Sequence, residues 1–164
     1  MTTRNLRTAL CAWLLTLAAV SAPAQLVEKK SLSLEGAKSV IHLPAAQVKQ
    51  AFAKGKPLLE TDGYKIHASR REAPGVAEVH VRDTDIIYVL EGSATLVTGG
   101  EVVDRKTIAT DEIRGASIRG GTPQRLSKGD VFVVANGVPH WFTDVQAPFL
   151  YYVVKAAAPV GSTR

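Results

Sequence analysis

Beyond Leu58, the apolar positions of the chain fall into short runs that turn-forming residues separate. Some runs alternate apolar and polar residues, as half-buried strands do, and others are continuously apolar. The predicted strands are Tyr64–Glu72, Val76–Val81, Ile86–Leu90, Ala94–Thr98, Glu101–Asp104, Ala116–Ile118, Val131–Val134, His140–Asp144 and Phe149–Lys155. Many short strands at regular spacing predict one all-β domain, built as a sandwich or a small barrel.

Glycine-containing sequences mark the predicted turns. Asp62-Gly63 and Ala73-Pro74-Gly75 separate strands, and Glu91-Gly92 is predicted to turn the chain. Gly99-Gly100 and Asn136-Gly137 are predicted to form tight hairpins between the strands that flank them. A tight connection after His80 is also expected to lead directly into the next strand.

Before the strands, the apolar spacing changes to that of a helix. Residues 44 to 54 begin with a proline, which suits a helix start, and Gly55 can end the helix. Val48, Ala51 and Phe52 would share one face, so this helix is expected to lie against the barrel. Residues 25–57 are therefore assigned to an N-terminal extension with a short helix, although 25–43 fit an edge strand or a helix equally well.

The first 24 residues have the layout of a secretory signal peptide. Arg4 and Arg7 precede an apolar run over residues 9–20, and Ser21-Ala22-Pro23-Ala24 supplies small residues for cleavage. A run of about 12 apolar residues is too short for a helix to span roughly 30 Å of hydrocarbon. We therefore expect export to the periplasm or medium, with Gln25 as the first residue and no membrane association after cleavage.

Charge and cysteine content narrow the function classes. Removing residues 1–24 removes two basic residues and no acidic one, so the net charge falls from +5 to +3. A charge this weak and dispersed does not form the concentrated basic face that binds nucleic acid. The one local cluster, Arg70-Arg71, is interpreted as a solvated strand end. The single cysteine, Cys11, leaves with the signal peptide, so disulfides and thiol chemistry are excluded from the mature chain.

Candidate chemistry follows from strand parity, since residues two apart on a strand point to the same face. Glu78 and His80 share a face, and Asp85 begins the next strand and could return to that face. His140 and Phe142 share a face of a later strand. Two imidazoles and two carboxylates could thus converge inside a barrel, whereas His42 and His67 are interpreted as ordinary polar residues.

In two motifs the sequence resembles the cupin superfamily. The family's second motif, G-x5-P-x-G-x2-H-x3-N, matches Gly129, Gly137 and His140, with Ala135 in place of proline and Asp144 in place of asparagine. The resemblance covers about residues 58–155.

The family's first motif is G-x5-H-x-H-x3,4-E-x6-G. Asp85, six intervening residues and Gly92 match its end, with aspartate in place of glutamate. Counting back from Asp85 places His80 at the second histidine and Glu78 at the first.

The resemblance implies a cupin-type, jelly-roll-like β-barrel over residues 58–157, followed by a flexible tail over 158–164. Its metal ligands carry over to Glu78, His80, Asp85 and His140, and Tyr88 and Phe142 are expected to line the pocket. Because Asp85 is one methylene shorter than glutamate, it could fall short of the metal or bind through water, and it could instead cap the Asp83-Thr84 turn. Such ligands suit Fe, Mn, Ni or Zn.

Three functions stay open from the sequence. The resemblance implies a metal-dependent enzyme of oxygenase, isomerase or decarboxylase type that acts on a small polar molecule. The two substituted ligand positions favour instead a non-catalytic module that binds a small molecule or a metal. A barrel without metal, filled by a hydrogen-bonded polar network, is the third. An exposed sheet edge would also allow a homodimer.

Overall fold

The computed structural model describes residues 40–158. The predicted signal peptide, most of the ambiguous segment over 25–43, and residues 159–164 of the predicted tail lie outside this range. No helix within residues 40–158 has the length and apolar character needed to cross a membrane.

The predicted helix is present as α1 (Ala45–Lys54). Pro44 precedes its first turn, and Gly55 ends it in the left-handed region at φ 59°, donating its backbone N–H to the carbonyl of Ala51. The Phe52 ring packs edge-on against Tyr152, with ring centroids 4.9 Å apart. The helix therefore packs against the outside of the sheet, as predicted.

The rest of the described chain is mostly strand, which confirms the all-β prediction. The strands are β1 (Lys56–Glu60), β2 (Tyr64–Arg71), β3 (Ala77–His80), β4 (Asp83–Thr98), β5 (Glu101–Val103), β6 (Lys106–Ala109), β7 (Glu112–Gly115), β8 (Ser117–Arg119), β9 (Thr122–Ser127), β10 (Val131–Val134) and β11 (His140–Ala157). Nine strands form one antiparallel sheet that curls into a half-barrel, and β5 and β8 pair separately.

Two strands are much longer than predicted. β4 continues through Glu91-Gly92, where a turn was predicted, and β11 joins the two strands predicted over 140–144 and 149–155. The register between β4 and β11 shifts in this region, which marks bulges. Gly92 adopts φ 74°, so the local glycine signal produces a bend within a strand instead of a reversal.

The two predicted hairpins are wrong in their partners. Gly99-Gly100 leads from β4 to β5, but β5 pairs with β8. Asn136-Gly137 leads from β10 towards β11, but β10 pairs with β4. Likewise β3, which precedes β4, pairs with β7 and contacts β11 at one residue pair. A turn sequence specifies local backbone geometry, whereas burial of the whole sheet selects the partner strand.

The core lies on the concave side of the sheet. Its largest fully buried side chains come from β4, β9 and β11, namely Phe149, Ile87, Leu96, Leu126 and Val89. Along the first half of β4, Asp85, Ile87 and Val89 are buried, while Ile86 and Tyr88 are exposed. Asp85 therefore continues the inward row of β4 beyond the apolar core and enters a polar cavity.

Candidate metal centre

The sheet brings three of the predicted ligands together. β3 carries Glu78 and His80 on one face, and His140, the first residue of β11, pairs with Glu78 in register. One donor atom from each of these residues lies within 4.8 Å of the other two. The His80 and His140 ring centroids are 4.9 Å apart. Two imidazoles and one carboxylate from distant segments thus form a single cluster.

The backbone orients His140. Its Nδ1 lies 3.1 Å from the carbonyl oxygen of Val138. A carbonyl can only accept a hydrogen bond, so Nδ1 carries the proton and Nε2 is left with its lone pair. Burial lowers the pKa of His140, and this outweighs the opposing hydrogen bond to Val138. The neutral imidazole is the form that binds a metal.

Asp85 lies beside the cluster, but its nearest charged partner is a lysine. Its carboxylate oxygens lie 2.9 and 3.0 Å from Nζ of Lys155. Its Oδ2 is 3.2 Å from Nδ1 of His80 and 3.8 Å from Nε2 of His140. Burial raises the pKa of Asp85, but the hydrogen bond from His80 and the charge of Lys155 outweigh burial and hold the pKa below its ordinary value. Asp85 is therefore ionised.

Lys155 is the main residue of the site that the sequence did not reveal. Its Nζ also lies 3.1 Å from both ring nitrogens of His80. The lone-pair directions of the two ring nitrogens diverge, so an ammonium at equal distance from both lies against the ring and along neither axis. The alternation of β11 does indicate that Lys155 points inward, since it has the same parity as buried Tyr151 and Val153.

The cluster opens into a cavity of about 570 Å³. On one wall the guanidinium of Arg71 lies 4.4 Å above the Phe142 ring, and its Nε donates a hydrogen bond to the Tyr151 hydroxyl at 2.9 Å. Arg71 and Arg114 each place a guanidinium nitrogen 3.9 Å from Oε1 of Glu78. Arg71 was interpreted as a solvated strand end, but its parity on β2 turns it into the cavity.

The two predicted pocket residues lie on different sides of the sheet. Phe142 is buried and lines the cavity, whereas Tyr88 is 45% exposed and does not line it. The placement of Tyr88 is thus corrected, because residues of β4 alternate and the odd-numbered ones, such as Asp85, point inward.

His67 also lines the cavity. Its Nε2 lies 3.3 Å from Oε1 of Glu60, and burial lowers the pKa of His67.

The donor set fits a divalent transition metal. Two imidazoles and a carboxylate are ligands for Fe, Mn, Ni or Zn, and they leave coordination positions for other molecules. The fixed proton on Nδ1 of His140 is the arrangement seen in histidines that ligate through Nε2. Glu78, His80 and His140 could therefore hold a metal.

Comparison with known proteins gives one matching family model and several similar structures. The sequence model described as cupin matches residues 32–160. A structure from Bacillus halodurans is similar over 79% of this chain and 89% of its own, with 13% identity and a TM-score of 0.51. An uncharacterized conserved protein with a double-stranded β-helix domain from Klebsiella pneumoniae shows 19% identity and a TM-score of 0.49, over 76% of this chain and 95% of its own. No curated protein matches the chain by sequence.

Proposed function

The chain belongs to the cupin family, and on that premise we propose that it is a metal-dependent enzyme that acts on a small polar molecule. Glu78, His80 and His140 would hold one divalent transition metal, of which Fe, Mn, Ni and Zn are the candidates. The convergence of these three side chains within 4.8 Å carries the proposal. The adjoining cavity, about 570 Å³, has room for a small molecule.

The chemistry would be divided between the metal and the cavity wall. When bound, the metal would supply Lewis-acid polarisation of a substrate oxygen or, if redox-active, dioxygen activation. Arg71 has N–H groups beyond the one given to Tyr151 and would bind an oxygen of the substrate. Phe142 would provide an apolar contact below that guanidinium. An oxygenase, isomerase or decarboxylase reaction is compatible with these parts.

The metal proposal predicts that His140→Ala abolishes stoichiometric metal, because a cluster of one imidazole and one carboxylate binds too weakly to survive purification. Elemental analysis of the purified protein measures this. His67→Ala is the matched control, since it removes another imidazole from the same cavity but lies outside the cluster. Full metal content in the His140 variant would refute the site.

The non-catalytic alternatives are a binding module and a metal-free barrel filled by a polar network, and the contacts of Lys155 favour the second. Its ammonium neutralises Asp85 without any metal, so a polar network alone could fill the cavity. Metal together with substrate-dependent oxygen uptake would favour the enzyme. Metal without turnover across small acids and sugars would favour the module, and protein without metal would favour the polar network.

We also propose that the protein is exported to the periplasm or medium. The basic, apolar and small-residue order of residues 1–24 supports this. Protein recovered outside the cytoplasm should begin at Gln25, which mass spectrometry of the intact chain measures.

A homodimer is the quaternary state we propose. Four apolar side chains on the outer face of β4 and β10 are 40–63% exposed, namely Ile86, Tyr88, Val131 and Val133. Within residues 40–158, β10 pairs with β4 alone, so its other edge is open. A second copy related by a two-fold axis would pack its own outer face against this one, beside the open edge of β10, and cover both apolar faces.

A further inference from the structure

We infer that Asp85 is not a metal ligand but a positioning residue that orients His80, and that Lys155 keeps its carboxylate away from the metal. This inference rests on the proposed metal site at Glu78, His80 and His140. It differs from the family pattern, in which the residue at this position would be a ligand.

The geometry of the His80 ring supports this role for Asp85. Nδ1 of His80 lies 3.2 Å from Oδ2 of Asp85, and Nε2 lies 3.7 Å from Oε2 of Glu78. An ionised carboxylate can only accept, so Asp85 selects the tautomer with the proton on Nδ1. Nε2 is then left with its lone pair on the side of Glu78, as a ligand requires.

The two histidines would then be held in the same way. Nδ1 of His140 faces the carbonyl of Val138 at 3.1 Å, and Nδ1 of His80 faces Asp85 at 3.2 Å. Outer-shell acceptors of this kind fix the ring and raise the basicity of the ligating nitrogen. Asp85 would thus orient His80 in the way that the carbonyl of Val138 orients His140.

Lys155 distinguishes the carboxylate of Asp85 from that of Glu78. Both oxygens of Asp85 lie within 3.0 Å of the Lys155 ammonium, which is itself largely buried. A dication bound to Asp85 would compete with that ammonium for the same two oxygens, and the repulsion between two cations on one carboxylate is large. The ammonium also lies 3.1 Å from Nε2 of His80, but against the ring and away from the axis along which Nε2 would bind a metal. The guanidinium nitrogens nearest Glu78 stand 3.9 Å away, so its oxygens are freer to bind a metal.

The test uses Co²⁺, whose visible spectrum reports its number of ligands, on the full mature chain. Asp85→Asn should keep the spectrum of the unmodified protein and lose about 10- to 100-fold in Co²⁺ affinity, the usual cost of an outer-shell change. Glu78→Gln, which removes a carboxylate ligand from the same cluster, should change the spectrum itself. Circular dichroism of each variant controls for folding.

Lys155→Met provides the decisive comparison. It should free Asp85 to bind, so that Co²⁺ affinity rises and the spectrum shifts towards a higher coordination number. Adding Asp85→Asn to this variant should restore the original spectrum. An altered spectrum in Asp85→Asn alone, or no change in Lys155→Met, would overturn the inference while leaving the metal site intact. No Co²⁺ binding by the unmodified protein would overturn both.

Discussion

At the scale of single residues, burial sets the charge state of His140, one of the candidate ligands. His140 is 3% exposed, and burial lowers its pKa below the ordinary value of 6.5. The pKa of His67 is lowered by the same cause. Below pH 6.5 these two histidines therefore take up protons in the unfolded chain before they do so in the folded chain. The folded protein thus becomes less stable as the pH decreases.

We accordingly predict that the metal-free protein is most stable above about pH 6.5 and loses stability as the pH falls from there towards the lowered folded pKa values. Urea unfolding at pH 7.5, 6.5 and 5.5 measures this. The double variant His67→Gln/His140→Gln should show a flatter profile over the same range. A stability that rises on acidification would contradict the prediction.

The motif register and strand parity are enough to select Glu78, His80 and His140 from the sequence, because both depend only on local spacing. Strand parity places Lys155 and Arg71 on inward faces, but it could not show that they reach the site. Their positions depend on β11 and β2 pairing with each other and on long side chains that reach across the cavity. The ionic partner of Asp85 is likewise a tertiary contact, since Lys155 lies 70 positions further along the chain.

At the scale of elements, the bend in β4 depends on Gly92. A Cβ added there would lie 2.4 Å from the carbonyl oxygen of Pro148, on β11, and the residue has φ 74°. Both the backbone conformation and the close approach of β11 therefore require glycine.

Gly92→Ala should lower the free energy of unfolding by several kcal/mol, because the clash involves backbone that cannot move aside freely, on the order of the larger single-substitution effects. Gly129→Ala is the matched control. Gly129 also has a positive φ, at 93°, but an added Cβ would meet nothing within 4 Å. Its cost should be about 1–2 kcal/mol, from backbone strain alone. Equal losses in the two variants, measured by urea unfolding, would contradict the role of the close approach.

Sequence patterns predict the elements of the core better than those of the periphery. Ile86–Leu90 and Val131–Val134 are predicted correctly as strands, because their apolar residues form continuous runs. β6 is exposed at all four positions, and β9 is exposed at five of six and contains Pro123, so neither carries the expected pattern. Backbone pairing with β7 and β4 forms these strands, and local sequence does not encode it.

At the scale of the whole molecule, the apolar outer face of β4 and β10 bears on assembly. If a second copy covers it, Val133→Lys should convert the dimer to a monomer, because a buried charge would have no partner. Sedimentation velocity at high micromolar concentration measures this. Ile108→Lys is the control, since Ile108 is 55% exposed on β6, away from this face. A monomeric unmodified protein would refute the dimer.

The cluster also depends on how far one ribbon curls. β4 and β11 pair along nearly their full lengths, with His140 opposite Thr98 at one end and Lys155 opposite Asp85 at the other. Fifteen extended residues would span about 50 Å, yet His140 and Lys155 both reach Asp85, at 3.8 and 2.9 Å. The ribbon's two ends therefore meet, and its curvature determines the spacing of the ligands. Substitutions at the bulges over residues 143–150, far from the site, would therefore raise or lower the affinity for a metal without changing any residue that binds it.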